Sequence, residues 1–177
     1  MEVIMITYEI LEGEHIKKIG HLCNALMTYQ KSVAHIAPER FDTMSFETRL
    51  VPSYNNAREN QLIAVKEGDN YVGYVYSNIS HKSVYDNAFA TFFDMDSVSG
   101  DYVGCLSQFY LEDAYRGQGI GSELYRMARE WMDGFVDVKD LFIYVSNGNT
   151  PALEFYKSKG FKVSHDILDG FITVLRK

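Results

Sequence analysis

Cysteine is scarce in this sequence. Cys23 and Cys105 are the only two, they stand far apart, and neither belongs to a CxxC or Cys/His spacing. This argues against a zinc site and fits two buried thiols in a reducing compartment. Long hydrophobic runs are lacking too. No stretch approaches the ~18 apolar residues of a membrane span, and the N-terminal MEVIMITYEILEGEH has neither a basic start nor an extended apolar core. Basic residues are outnumbered, 17 Lys and Arg against 24 Asp and Glu, for a net charge of −7. A phosphate-backbone binder normally carries the opposite excess, so no nucleic-acid partner is expected. An acidic surface ordinarily keeps a protein soluble; it also suits a positively charged amine substrate drawn in by the field. Internal repeats and low-complexity tracts are absent. The expectation is a soluble, cytoplasmic protein with no membrane partner and no metal.

What is present suits one globular domain over 1–177, long enough to bury roughly 70% of the surface its unfolded chain exposes. Residues 3–10 read as a strand. Ile16, Ile19, Leu22, Cys23, Leu26 and Met27 then fall at helical spacing. Between 34 and 60 the pattern weakens, punctuated by Pro38 and Pro52, and MSFETRLVP and YNNAREN each read as a short helix. Residues 61–80 form a hairpin pattern around Glu67-Gly68-Asp69-Asn70. Residues 81–100 read as a loop and 101–113 as a strand. The next helix runs to Gly134, with Ile120, Leu124, Met127, Ala128 and Trp131 on one face. A strand over 140–148 precedes a short helix over 150–160, with Thr150 as N-cap, Pro151 at the first helical position and Gly160 as the C-terminal glycine. A final hairpin turns at Asp169-Gly170. This order predicts a mixed α/β (α+β) sheet with a strand–helix–strand crossover near its end.

The stretch Arg116-Gly117-Gln118-Gly119-Ile120-Gly121 sits at the predicted strand-to-helix junction. A helix start offers unpaired N–H groups and the positive end of the helix dipole, glycines let a phosphate approach them, and an arginine adds a fixed cation. The stretch is therefore a candidate pyrophosphate cradle. The same glycines also serve a tight turn with close helix–strand packing. The dinucleotide fingerprint GxGxxG needs its third glycine one residue later, and the P-loop needs a Lys-Ser or Lys-Thr pair that is not here.

Arg116, Gly119 and Gly121 match the Arg/Gln-x-x-Gly-x-Gly/Ala signature of the GNAT superfamily of N-acetyltransferases. Asn149, Ala152, Phe155, Tyr156, Gly160 and Phe161 resemble that family's Asn-x-x-Ala-x-x-Phe-Tyr-x-x-x-Gly-Phe stretch. The resemblance is close over 100–177 and hardly touches 34–60. It implies a central, mostly antiparallel twisted sheet of about seven strands flanked by about four helices, splayed where acyl-CoA enters. It implies acetyl-CoA as co-substrate, lying between strands 103–112 and 140–146. The backbone of Phe109, Tyr110 and Leu111 would bond the pantetheine arm. Arg116 and the amides of Gly117, Gln118, Gly119, Ile120, Gly121 and Ser122 would hold the pyrophosphate, and Asn149 and Ala152 would border the pantetheine. Asn149 is equally placed to cap the helix it precedes.

The implied reaction is direct attack of a neutral primary amine on the thioester in a ternary complex. A backbone N–H near Leu111 would meet the oxyanion, and Tyr156 would act as general acid toward the leaving thiolate. The alternative is a non-catalytic acyl-CoA-binding sensor or scaffold. It draws on the lack of a carboxylate over 104–108; Glu47, Glu59, Asp94 and Asp96 are unplaced candidates for a base. His81 and His165 read as surface residues. The acceptor, a small-molecule or peptide amine, is expected to meet the segment holding His35, Phe41, Phe46, Tyr54 and Arg58. Abundant tyrosine is either a cation-holding lining or ordinary core. Family members often dimerise, which leaves a homodimer open.

Overall fold

The computed structural model describes residues 5–177. Seven strands form one sheet: β1 (Ile6–Leu11), β2 (Glu59–Glu67), β3 (Asn70–His81), β4 (Tyr102–Leu111), β5 (Leu141–Ser146), β6 (Lys162–Ile167) and β7 (Ile172–Arg176). Their order across the sheet is β1-β2-β3-β4-β5-β7-β6, and only β4 and β5 run parallel. The α-helices are α1 (Gly20–Val33), α2 (Val51–Asn56), α3 (Ile120–Asp133) and α4 (Thr150–Ser158). Val3 and Ile4 of the expected first strand lie outside the described residues.

Both faces of the sheet are covered, so its central strands are apolar almost throughout. In β2, Ile63 and Val65 face a core completed by Leu124, Ala128 and Met132 of α3 and Tyr156 of α4. Leu62 and Ala64, one residue out of phase, face Leu22, Cys23 and Leu26 of α1. A third cluster joins Tyr85, Phe92 and Phe93 of the long β3–β4 connection to Phe142 and Val174.

Several elements differ from the sequence-based expectation. The first helical stripe is divided: a 3-10 segment, Gly13–Ile19, precedes α1. MSFETRLVP holds a π-turn, Phe46–Leu50, opened by a Ser45–Thr48 capping box and running straight into α2. YNNAREN is helical only over Tyr54–Asn56, the end of α2; β2 begins at Glu59. In α3 the buried residues are Ile120, Leu124, Tyr125, Ala128 and Met132, while Met127 and Trp131 are only partly covered. The α4 N-cap is Asn149 rather than Thr150.

The sheet's parallel seam is very short. β4 and β5 pair only at Gly104–Leu141 and Cys105–Phe142. Beyond that rung β4 continues alongside β3 as far as Leu111, and among the described residues no further strand pairs with its other edge. Tyr76 faces Gln108 and Ser77 faces Leu106, so Ser107 is an extra residue bulging from β4. A bulge at this point re-aims the side chains that follow.

Candidate active site

Where β4 and β5 part, a cavity of about 200 Å³ opens between them. Cys105 to Phe109 form one wall and Ile143 to Ser146 the other. Asn149, Ala152 and Tyr156 of α4 line it, as do Leu26, Met27 and Gln30 of α1. Two hydroxyls on the β5 side, Tyr144 Oη and Ser146 Oγ, are buried without a hydrogen-bond partner. An unsatisfied buried polar group costs on the order of 1–3 kcal/mol, so a polar partner at either hydroxyl would be favourable.

The bulge turns Gln108 toward α1. Its Oε1 accepts from Tyr74 Oη at 2.7 Å and from Cys23 Sγ at 3.2 Å. The carbonyl end is thus occupied, and the amide N–H groups are the end left for the cavity. Burial pushes the Cys23 thiol up to about 11 and the Cys105 thiol up to about 12. Both are therefore neutral near pH 7.

At the outer end of β4 the glycine turn begins α3. Gly117 and Gly119 have φ of +75° and +83°, in the left-handed region that favours glycine, and a Cβ on either would point into open space. Residues 117–119 and Ser122 are exposed, Gly121 is half-buried and Ile120 is buried. The first turn's internal ladder starts with Glu123 N–H donating to Gly119 O at 3.1 Å. No described residue accepts from the N–H groups of 117–122, the arrangement that favours an anion. Arg116 is already engaged: its Nε donates to Leu111 O at 2.9 Å and its Nη1 pairs with Asp113 at 2.9 Å. It braces the turn against the strand, and the Leu111 carbonyl is spoken for.

Tyr156 is fixed by the way α4 ends. Phe161 N–H donates to Tyr156 O at 3.1 Å and Gly160 N–H donates to Lys157 O at 3.0 Å. This is a Schellman closure, with Gly160 at φ +93° where a left-handed residue is needed. The Phe161 ring sits edge-on to Tyr156, centroids 6.4 Å apart. Tyr156 is 6% exposed and lines the cavity, and no described residue hydrogen-bonds its hydroxyl. Burial, the largest cause, raises its pKa well above 10. Asn149 takes the capping role, through a long 3.4 Å contact with Ala152 N–H, and also lies at the cavity.

Sequence reasoning missed the joint between β5 and α4. Asn147 Oδ1 accepts from the N–H groups of His35 and Ile36, both at 2.8 Å, and its Nδ2 donates to Ile36 O and Phe171 O. At Gly148 (φ +81°) an added Cβ would fall 2.0 Å from Val33 O. The end of α1 is thus clamped to the end of β5, which fixes the cavity's width.

Of the expected acceptor segment, Phe41 reaches the cavity. Phe46 is buried with the α1 cluster, Tyr54 stacks on Tyr76 and accepts from Gly13 N–H, and Arg58 pairs with Asp137. His35 contributes only its backbone to the Asn147 clamp. Glu47, Glu59, Asp94 and Asp96 are all exposed and none borders the cavity. His81 is exposed, whereas His165 is half-buried, its Nε2 2.8 Å from Phe92 O. Tyr85, Tyr144 and Tyr156 are the tyrosines in the lining. Among the described residues no group of His, Cys, Asp or Glu is placed to hold a metal, and no helix is long and apolar enough to cross a membrane.

The chain matches the model of the acetyltransferase (GNAT) family over residues 29–161, and it belongs to that family. No curated protein matches the sequence. Among solved structures it is similar to PH1933 from Pyrococcus horikoshii OT3, with a TM-score of 0.65, 19% identity and 98% of each chain covered. It is similar to the PaiA N-acetyltransferase of Thermoplasma acidophilum in complex with coenzyme A, at 0.65 and 17%, over 97% of this chain and 98% of that one. Naa50 of Arabidopsis thaliana, in complex with the bisubstrate analogue CoA-Ac-MVNAL, gives 0.64 and 14% over 97% of each chain. At such identities the likeness is one of fold.

Proposed function

We propose that this chain, as one domain, is an acetyl-CoA-dependent N-acetyltransferase acting on a primary amine. The observation that carries the reading is the pairing of two features on one strand. β4 leaves β5 after a single short seam, and its far end runs into a helix start with free, exposed N–H groups. A diphosphate fits the amides of Gly117 to Ser122. A pantetheine arm fits the open edge of β4 along Phe109 and Tyr110, with Leu111 offering its N–H side. Tyr144 Oη and Ser146 Oγ await polar partners opposite, and Asn149 and Ala152 border the passage toward Tyr156.

In the proposed reaction the amine nitrogen bonds to the acetyl carbon and the carbon–sulfur bond breaks. The sulfur leaves as a thiolate that solvent then protonates, and the amine loses its surplus proton. Tyr156 is the group positioned for the sulfur. An alkyl thiol ionises at about 8.5, below the raised phenol, so full proton transfer from Tyr156 would run uphill. Its contribution is a hydrogen bond to the developing thiolate, which stays available because the phenol remains protonated. No carboxylate lines the cavity, so the amine enters in its neutral form and its surplus proton goes to water.

That missing carboxylate is also what favours the second reading, a module that binds acyl-CoA without turnover. Thiol release from acetyl-CoA, followed over a panel of small-molecule and peptide amines, separates the two. Acceptor-dependent release supports the enzyme. Tight binding of acetyl-CoA with no release across the panel would leave only the module.

A further inference from the structure

Among the described residues, one charged side chain lines the cavity, and it is Arg49. The π-turn Phe46–Leu50 places it there. Its backbone is fixed by its own N–H donating to Ser45 O at 2.9 Å and by its carbonyl accepting from Ser53 Oγ at 2.9 Å. Its guanidinium lies 5.4 Å from the centroid of the Phe89 ring. The other half-buried arginines are matched: Arg129 with Asp133 and Arg176 with Asp140. Arg49 has no such partner among the described residues, and no carboxylate is among the charges that act on it.

The rest of the lining does not offset this charge. Cys105 and the phenols of Tyr85, Tyr144 and Tyr156 are held neutral by burial. Arg49 and the proposed hydrogen-bond donor Tyr156 border the same cavity, as does Cys105. The Gln108 amide adds donors on the same wall, its acceptor oxygen being occupied by Tyr74 and Cys23. Among the described residues the cavity wall thus carries one net charge, and it is positive. A half-buried guanidinium without a counter-charge is unfavourable until something supplies one.

We propose that Arg49 binds a carboxylate carried by the acceptor, making the substrates small carboxylate-bearing amines such as amino acids. This rests on the acetyltransferase reading above. A polyamine or aminoglycoside would bring a second positive charge toward an arginine in a partly desolvated space, which repels it. A planar carboxylate matches the guanidinium fork with two parallel hydrogen bonds.

The test uses matched acceptors and acetyl-CoA with the purified full chain. ω-Amino acids are compared with n-alkylamines, and α-amino acids with their carboxamides, with rates corrected for the neutral amine fraction. The acids are expected to lead in kcat/KM by roughly ten-fold or more, as a charge-assisted pair supplies. Arg49→Gln should collapse that ratio toward one through KM for the acids, and Arg49→Lys should restore part of it. Equal rates for acids and amines in the wild type, or the same proportional loss on both in Arg49→Gln, would overturn the proposal. If no acceptor is acetylated although CoA binds, it is the acetyltransferase reading that fails. The anion site then stands or falls on calorimetric titration of the same acids into the CoA-loaded protein. Binding that Arg49→Gln abolishes supports it, and no binding removes it.

Discussion

Cys105 faces Phe142 across the last rung that holds β4 to β5. The closed side of that rung is packed by aromatic contacts. The Phe142 ring stacks on Phe93 with centroids 4.2 Å apart and planes 8° from parallel, and the Arg176 guanidinium lies 5.0 Å from its centroid. On the open side β4 keeps its pairing with β3 to Leu111, so the sheet splits along one edge only. The strand that borders the gap is therefore held from behind. This lets the gap present a fixed row of backbone groups to a ligand.

The glycine turn at the end of that strand gives the first prediction. Gly119 has φ of +83°, a conformation that costs other residues roughly 1–2 kcal/mol. Gly119→Asp adds that strain and sets a negative charge among the free amides proposed to hold a diphosphate. CoA affinity, measured by calorimetry, is expected to fall by at least about ten-fold. An unchanged dissociation constant in a folded variant would take the turn out of the site.

Tyr156→Phe removes one oxygen and leaves the ring packing of α4 in place. Turnover is expected to fall by roughly 10²-fold, the low end for an acid–base group, while CoA affinity holds within about two-fold. Burial raises the phenol's pKa, so the protonated form persists to higher pH than that of a free tyrosine. The wild-type kcat should accordingly show no alkaline fall near pH 10. A fall at that pH that disappears in Tyr156→Phe would show an ordinary phenol and contradict the burial argument.

The elements that carry the site were the legible ones. Gly119 and Gly121 stand out because glycines at a strand-to-helix junction suit a phosphate cradle or a tight turn, and Asn149 to Phe161 carry cap, proline and terminal glycine at helix spacing. The acceptor side was not legible. Arg49 lies in a π-turn, whose period matches neither helix nor strand patterning, so nothing in the sequence aims it at β4. Gln108 is likewise hidden, because the bulge at Ser107 shifts the alternation by one residue. Of the segment expected to meet the acceptor, Phe41 borders the cavity, while Arg58 is held by Asp137. The acidic net charge suits solubility and is compatible with a cationic acceptor, while among the described residues the single charge in the cavity wall is positive. Net charge describes the outer surface and is silent about one buried side chain.

Gly148 tests the clamp that sets the cavity's width. Its Cβ in Gly148→Ala would overlap Val33 O, and a backbone carbonyl cannot swing aside as a side chain can. A loss of about 3 kcal/mol or more is expected, or roughly 6–12 °C in Tm for a chain of this size. A Tm within about 2 °C of the wild type would mean that α1 and β5 can separate at little cost.

Alkaline stability follows from the same burial that keeps the cavity neutral. In the folded chain the thiols of Cys23 and Cys105 are pushed up to about 11 and about 12, and burial drives Tyr74, Tyr85 and Tyr144 well above 10. Unfolded, these thiols ionise near 8.5 and these phenols near 10. Above about pH 8.5 the unfolded chain therefore binds fewer protons than the folded one, and stability falls as pH rises. Each such group contributes up to about 1.4 kcal/mol per pH unit between its two pKa values. The urea midpoint should hold steady from pH 7 to 8 and drop steeply between pH 9 and 10.5. A thiol reagent at pH 8 should label neither cysteine until urea unfolds the chain. Rapid labelling of the native protein, or a midpoint that ignores pH up to 10.5, would show that the cavity floor around Cys105 is wet and that its neutrality has another cause.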